Sequence, residues 1–251
     1  MSDEIIGLHD WLTSPPGSYL LAWEQERFDE LVADLFGYHA LQLGLPALQG
    51  LRANRMPHRW LAQNAAAPLQ QGTALLLDAQ ALPFGEASLD LVLMPHTLET
   101  SGAPHAALRE AARVLVPQGR VVISGFNPWS LWGLRQRRGQ LYQRLGAGVQ
   151  PFLPDALQLI TPGRVRDWLQ LLDFEVESVS FGCFRPAVRS APWLQHWAWM
   201  DDTGPRWWPV LGAAYVVVAV KRVLGMHLLQ PAWRAQRQKA QASVPVARRG
   251  N

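Results

Sequence analysis

Two polar residues close apolar runs, and they carry the chemistry this chain can offer. Asp78 follows Leu75-Leu76-Leu77, and His96 follows the run from Leu89 to Pro95. Continuous rather than alternating hydrophobicity suits strands covered on both faces, as in a parallel sheet. Open α/β sheets bind ligands just outside the carboxyl ends of such strands. A carboxylate placed there accepts charged hydrogen bonds worth roughly 1.5 to 3 kcal/mol each, or else caps its own loop. A histidine there titrates near neutrality and suits a general base; alternatively it stays neutral and bonds a loop carbonyl. Asp90 is read as beginning its strand, and Glu99 as a solvated acid on the turn after His96.

The elements that must position these groups are legible in outline. Residues 18–36 carry Leu20, Leu21, Trp23, Phe28, Leu31, Val32, Leu35 and Phe36 as an amphipathic helix, with the acids on the opposite face. Ser14-Pro15-Pro16-Gly17 is read as a stop for whatever precedes it. A short strand ends at Gly44, and runs at 73–79, 89–96 and 119–126 read as buried strands. Between the last two, Ala107, Leu108, Ala111, Ala112, Val114 and Leu115 recur at helical spacing, with Pro117 and Gly119 as the stop. Strand, helix, strand is the unit of a doubly wound α/β fold. Thr161 and Pro162 form an N-cap and first helical position, a strand follows from Phe174, and a last one spans 213–223.

Composition bounds the rest. The 251 residues include 12 Trp and a single cysteine, Cys183, which excludes an intrachain disulfide and a cysteine-based zinc site. No metal site is indicated. No apolar run reaches the roughly 18 to 20 residues of a membrane helix, and the acidic start lacks the plan of a signal peptide; a cytoplasmic protein is expected. The net charge of +3 is unevenly spread: residues 127–150 hold Arg135, Arg137, Arg138 and Arg144 with no acid. One domain is expected over 1–230, interrupted by lid-like insertions at 127–160 and 186–209, with a disordered basic tail at 231–251.

The stretch "LLLDAQALPFGEASLDLVLMPHTLE" followed by "ALREAARVLVPQGRVVISG" resembles the central half of class I S-adenosylmethionine-dependent methyltransferases of the methyltransferase-11 type. Its landmarks are Asp78-Ala79, Leu82-Pro83-Phe84, Asp90 and the helix end from Ala112 to Gly119. "YHALQLG", "ISGFNPWSLWGLR" and "LLDFEVESV" are similar to the YafS-like bacterial group. The resemblance implies a Rossmann-like α/β fold with a mostly parallel central sheet and an antiparallel last strand. The runs 73–79, 89–95 and 120–126 are expected as neighbouring strands of that sheet. It further implies S-adenosylmethionine as cofactor, lying among Gln42, Gly44, Asn64, Asp78, Ala79, Leu82, Pro95 and His96. Asp78 would accept the adenine amino group, His96 would be the candidate catalytic base, and Asn127 and Trp129 would face or roof the substrate side.

The chain departs from that pattern after its first strand. The family's loop there resembles Asp-x-Gly-x-Gly-x-Gly, whereas this chain reads "LQLGLPALQG". Gln42 replaces the acid, and Pro46 lacks the N–H that a glycine would offer. Gly44 and Asp78 are 34 positions apart, where two helices and two strands with their connections need about 45 to 50. One helix is therefore missing or reduced to a turn. "HRWLAQN" (58–64) is expected as the second strand, and 65–72 is too short for the helix after it. No acid stands between Leu35 and Leu77 to hold the ribose hydroxyls, leaving Asn64 as a neutral substitute.

Two functions follow from these residues: a methyltransferase on an unidentified acceptor, or a non-catalytic binding protein on the same scaffold. The arginines and tryptophans of the insertions suit a small-molecule or amphipathic acceptor, with peripheral membrane contact; single-stranded nucleic acid is the alternative partner. No oligomeric state is specified.

Overall fold

The computed structural model describes residues 2–64, 74–145, 151–154 and 157–222; the segment 65–73 and the expected tail at 231–251 lie outside them. A seven-stranded sheet forms the middle layer, in the order β3-β2-β1-β4-β5-β7-β6. Its strands are β1 (His39–Leu43), β2 (His58–Asn64), β3 (Leu75–Leu77), β4 (Leu89–Pro95), β5 (Leu115–Phe126), β6 (Phe174–Gly182) and β7 (Ala214–Lys221). Pairings from β3 through to β5 are parallel, and β7 runs antiparallel to both β5 and β6. The antiparallel last strand is thus as expected, and it lies between β5 and β6. The runs 89–95 and 120–126 are neighbours, but 73–79 is not next to them. The strand order reverses between β1 and β4, which sends β3 to the far edge.

Both faces of this sheet are covered, which is why its central strands read as unbroken apolar runs. On one face Phe28 and Val32 of α2 (Pro15–Ala33) pack against Ala40, Leu91, Leu93, Val122 and Val216. On the other, Ala107, Leu108, Ala111 and Val114 of α4 (Pro104–Val114) join Val165 and Leu169 of α6 (Pro162–Leu171) over Leu41, Val92, Val121 and Val217. Between β4 and α4 lies the single turn α3 (Thr97–Thr100).

Several boundaries follow local chemistry. Thr161 caps α6 by accepting from Arg164 N at 3.3 Å, with Pro162 in the first turn, as its sequence suggested. Ser14-Pro15-Pro16-Gly17 follows the end of a helix, as expected of a stop, and also opens the next one. Ser14 Oγ accepts from Gly17 N at 3.3 Å and caps α2, while α1 (Ser2–Leu12) precedes it. Gly17 is required because a Cβ there would strike the carbonyl oxygen of Trp11. α4 ends at Val114 rather than at Pro117, and β5 begins at once with Leu115. Pro117 and Gly119 therefore lie within a strand whose register shifts between Leu89 and Leu91 of β4.

At the edge formed by the carboxyl ends of β5 and β6 and the amino end of β7, the two insertions pack on the body. The first contains α5 (Leu131–Arg144); the second contains α7 (Ala191–His196) and α8 (Trp199–Trp207). Trp132 is fully buried there among Trp11, Phe126 and Phe152, in a cluster that also holds Leu8 and Leu12 of α1.

Candidate functional site

The reversal of strand order between β1 and β4 leaves a crevice at their carboxyl ends, where connections leave in opposite directions. A cleft with about 760 Å³ of space not filled by protein atoms, including that open to solvent, occupies this position. Gly44, Asn64, Asp78, Ala79, Pro95 and His96 all border it, joined by Leu8 and His9 from α1. Gln42, Leu82, Asn127 and Trp129 do not. Nothing in the pattern of residues 2–12 points to α1, whose contribution to the cleft wall comes from the structure alone.

The loop after β1 explains what has become of the glycine-rich turn. Gly44 and Leu45 both adopt left-handed backbone, with φ of +76° and +45°, and turns rather than a helix carry the chain from Leu45 to β2. No helix forms between β1 and β2, so no helix N-terminus faces the cleft there; the expected shortfall at 65–72 lies outside the described residues. Gln42, where the family has an acid, is buried and turned into the loop. Its Nε2 donates to the carbonyls of Gly44 (3.2 Å), Leu45 (3.1 Å) and Leu48 (2.7 Å), and its Oε1 accepts from Gly50 N at 3.0 Å. Only a neutral amide can both give and take in this way. Gln42→Glu should therefore set a buried carboxylate against three carbonyls, at a cost of about 2 kcal/mol in urea denaturation. An unchanged midpoint would disprove the staple.

Asp78 is exposed at the rim of the cleft, immediately beyond β3. Its Oδ1 accepts from Gln80 N at 2.9 Å, capping the turn that ends in the Asp78–Ala81 bridge. A carboxylate has about four acceptor positions, so this cap is compatible with a ligand bond. Asp90 plays no part here; its Oδ2 accepts from Tyr38 N and His39 N at 2.8 and 2.9 Å and anchors the start of β1.

His96 contradicts both roles expected from sequence. It sits in left-handed backbone (φ +51°) at the end of β4, with its ring fully buried. Nδ1 lies 2.6 Å from Glu99 Oε2 and Nε2 lies 2.9 Å from Glu24 Oε1 of α2. Burial alone would lower its pKa, but the carboxylates of Glu24 and Glu99 push it up to about 10. The ring is thus an imidazolium held between two acids, with neither nitrogen free to take a proton from a substrate. Glu99, expected on a solvated turn, is buried; burial raises its pKa against the pull of His96 and of the Phe126 N–H, which it accepts at 2.7 Å. Thr97 completes the junction by donating to Leu43 O at 2.6 Å, which ties the end of β4 to the end of β1.

The substrate-side candidates are also structural. Asn127 is buried and donates to Val210 O at 2.7 Å and Gly212 O at 3.0 Å, tying the start of the first insertion to the segment that leads into β7. Trp129 is 67% exposed, away from the cleft, with the Arg137 guanidinium 5.1 Å from its ring centre. Leu82 is core, and its backbone shows why its motif is paired with the helix motif downstream. Leu82 N donates to Glu110 at 3.0 Å, while Arg113 donates to the carbonyls of Leu82 and Phe84, each at 3.0 Å.

That paired motif lies inside the region, residues 55–123, that matches the family model described as a methyltransferase domain. Among solved structures, the chain resembles S-adenosylmethionine-dependent methyltransferases of Thermotoga maritima and Archaeoglobus fulgidus. The first is 16% identical, with a TM-score of 0.52, over 82% of this chain and 95% of that one. The second is 15% identical, with a TM-score of 0.53, over 80% and 94%. The [4+2]-cyclase SpnF shares the fold too, at 18% identity and a TM-score of 0.50 over 78% and 80%. YafS of Escherichia coli K12 is 31% identical over 219 residues, which cover 87% of this chain and 82% of YafS. With that identity spread over nearly its whole length, the chain belongs to the YafS family, whose frame is the class I S-adenosylmethionine-dependent methyltransferase fold.

Proposed function

We propose that the cleft binds S-adenosylmethionine and that the protein transfers its methyl group to an acceptor entering at the carboxyl edge of the sheet. The observation that carries this reading is the convergence of Gly44, Asn64, Asp78, Ala79 and Pro95 on one crevice at the switch point. The residues fit the group at one end better than at the other. Asp78 would accept from the adenine amino group beside the Ala79 backbone, and Asn64 would face the ribose. The loop from Gly44 to Pro46 would offer the methionine part no helix N-terminus; His9, Thr97, Thr100 and Ser101 are further polar side chains that line the cleft.

Bound there, the cofactor would supply an electrophilic methyl group. The chain's own work is to orient and to exclude water, which can provide several kcal/mol without a protein base. His96 serves this by fixing the floor of the cleft, since its proton is committed to Glu24 and Glu99. An acceptor that is nucleophilic without losing a proton first suits such a site.

Titration calorimetry with S-adenosylmethionine and its demethylated product tests the reading. Binding of both is expected, and Asp78→Ala should weaken it roughly 10- to 100-fold, the value of one charged hydrogen bond. Absence of heat at millimolar ligand, with folded protein confirmed, rejects it. A non-catalytic binding protein is the competing reading, and the loss of the helix after β1 is what favours it. SpnF adds that this fold also occurs in a protein named for a different reaction.

A further inference from the structure

The outward face of α5 has no partner in the described structure, and its pattern is particular. Leu131, Leu134, Leu141, Tyr142 and Leu145 are all exposed, Leu134 by 63% and Leu145 by 73%. At about 100° per residue they fall within an arc of roughly 100°. The opposite face, with Trp132, Gly133, Gln136 and Gly139, is buried against the body. Arg138 stands inside the exposed arc, and Arg135 and Arg137 flank it on its two margins. No acid occurs anywhere from residue 127 to 150.

We propose that this face docks the protein on an anionic membrane surface, with the leucines below the headgroups and Arg137 and Arg138 at the phosphates, Arg135 being held by the Ala187 carbonyl. An interfacial helix needs an apolar face, a basic margin and no competing acid, and α5 has all three. Arg138 does not spoil the apolar arc, because its long stem can lie along the leucines while the guanidinium rises to the phosphate level. A second copy of the chain fits the face poorly: pairing two such helices would bring their arginines together with no acid between them. Single-stranded nucleic acid fits poorly too, since the arc is mainly aliphatic and Arg137 already covers a face of Trp129. α5 follows β5 at the same carboxyl edge that carries the cleft, so docking there would bring a lipid-borne acceptor to the side from which the cleft opens. The inference rests on the fold and its surface, not on methyl transfer.

Flotation of the full chain with vesicles at near-physiological salt tests it. The chain should float with vesicles containing phosphatidylglycerol and stay behind with pure phosphatidylcholine. Leu134→Glu with Leu141→Glu should lower the bound fraction at least about tenfold, with unchanged circular dichroism and melting. Arg137→Glu with Arg138→Glu should do the same through loss of about a fivefold factor per arginine. Failure to float with anionic vesicles overturns the proposal. So does flotation that survives the leucine substitutions, which would place the contact elsewhere on the chain. Self-association or a shift of single-stranded RNA through these residues, without flotation, equally overturns it. Calorimetry at the cleft is independent of all these outcomes, so failure of either proposal leaves the other standing.

Discussion

Replacing His96 by alanine is expected to cost about 3 to 5 kcal/mol of folding stability, because it strands the buried Glu24 and Glu99 carboxylates without their shared cation. Glu24 Oε2 has no hydrogen-bond partner even in the intact site, so nothing nearby can absorb the loss. Glu99→Gln should cost less, since a carboxamide oxygen can still accept from Phe126 N. Adding Glu24→Gln to His96→Ala should recover part of the loss by removing one of the stranded charges. The sign of the pH dependence follows from the same geometry. The pKa of His96 rises from 6.5 to about 10 in the folded protein, so its contribution is complete below pH 6.5 and fades as pH climbs through about 10. The upward shift of Glu99 acts in the same direction. Urea midpoints of the native protein should therefore fall between neutrality and pH 10. In His96→Ala that alkaline slope should shrink, and stability should return as the pH is lowered and Glu99, already pushed up by burial, takes up a proton. A flat alkaline profile in the native protein would show that His96 is not held as a cation.

Trp132→Ala is expected to cost a further class of stability, about 3 to 5 kcal/mol for emptying a fully buried aromatic site. Trp132 touches Trp11 and Phe152 at ring separations of 5.9 and 5.4 Å, and its Nε1 donates to Arg185 O at 2.8 Å. It thereby joins α1, the first insertion and the start of the second. Because α1 supplies Leu8 and His9 to the cleft wall, the same substitution should weaken ligand binding from a distance. Trp132→Phe keeps most of the packing and loses the indole N–H, so about 1 to 2 kcal/mol is expected from the unpaired Arg185 carbonyl and the smaller ring. Thermal melts and ligand titrations on the two variants check both parts. Equal effects of alanine and phenylalanine would contradict the packing argument.

Much of the frame was legible in the sequence because local rules and tertiary packing agree there. The second strand was read at 58–64 and occupies His58–Asn64; Thr161-Pro162 opens α6 as a cap and first turn should. The spacing deficit between Gly44 and Asp78 correctly implied a lost helix, since chain length is a hard constraint. What stayed hidden depends on partners remote in sequence. Glu24 sits among the acids of α2 and reads as solvated until a histidine 72 positions away meets it. Gln42 looked like a degraded acid, although its value lies in donors that an acid lacks. Asn127 seemed to point at a ligand and instead bonds carbonyls more than 80 positions on. Ser14-Pro15-Pro16-Gly17 has the composition of a breaker and does follow the end of α1, but its second role, capping and opening α2, shows only in the structure.

The placement of β7 sets the order in which this chain can be completed during synthesis. β6 has its only described pairing with β7, and β5 has β7 on the side away from β4. Until residues 214–221 emerge from the ribosome, β5 presents an open edge that includes Val121, Val122 and Ile123, and β6 one that includes Val176 and Val179. At translation speeds of about 5 to 20 residues per second, the 95 residues from the end of β5 to the end of β7 take roughly 5 to 20 seconds to appear. An unpaired edge exposed for that long is a template for wrong partners. The strand that joins β5 to β6 is thus the last of the seven to be made, and a chain truncated before residue 214 is expected to expose both edges and to aggregate.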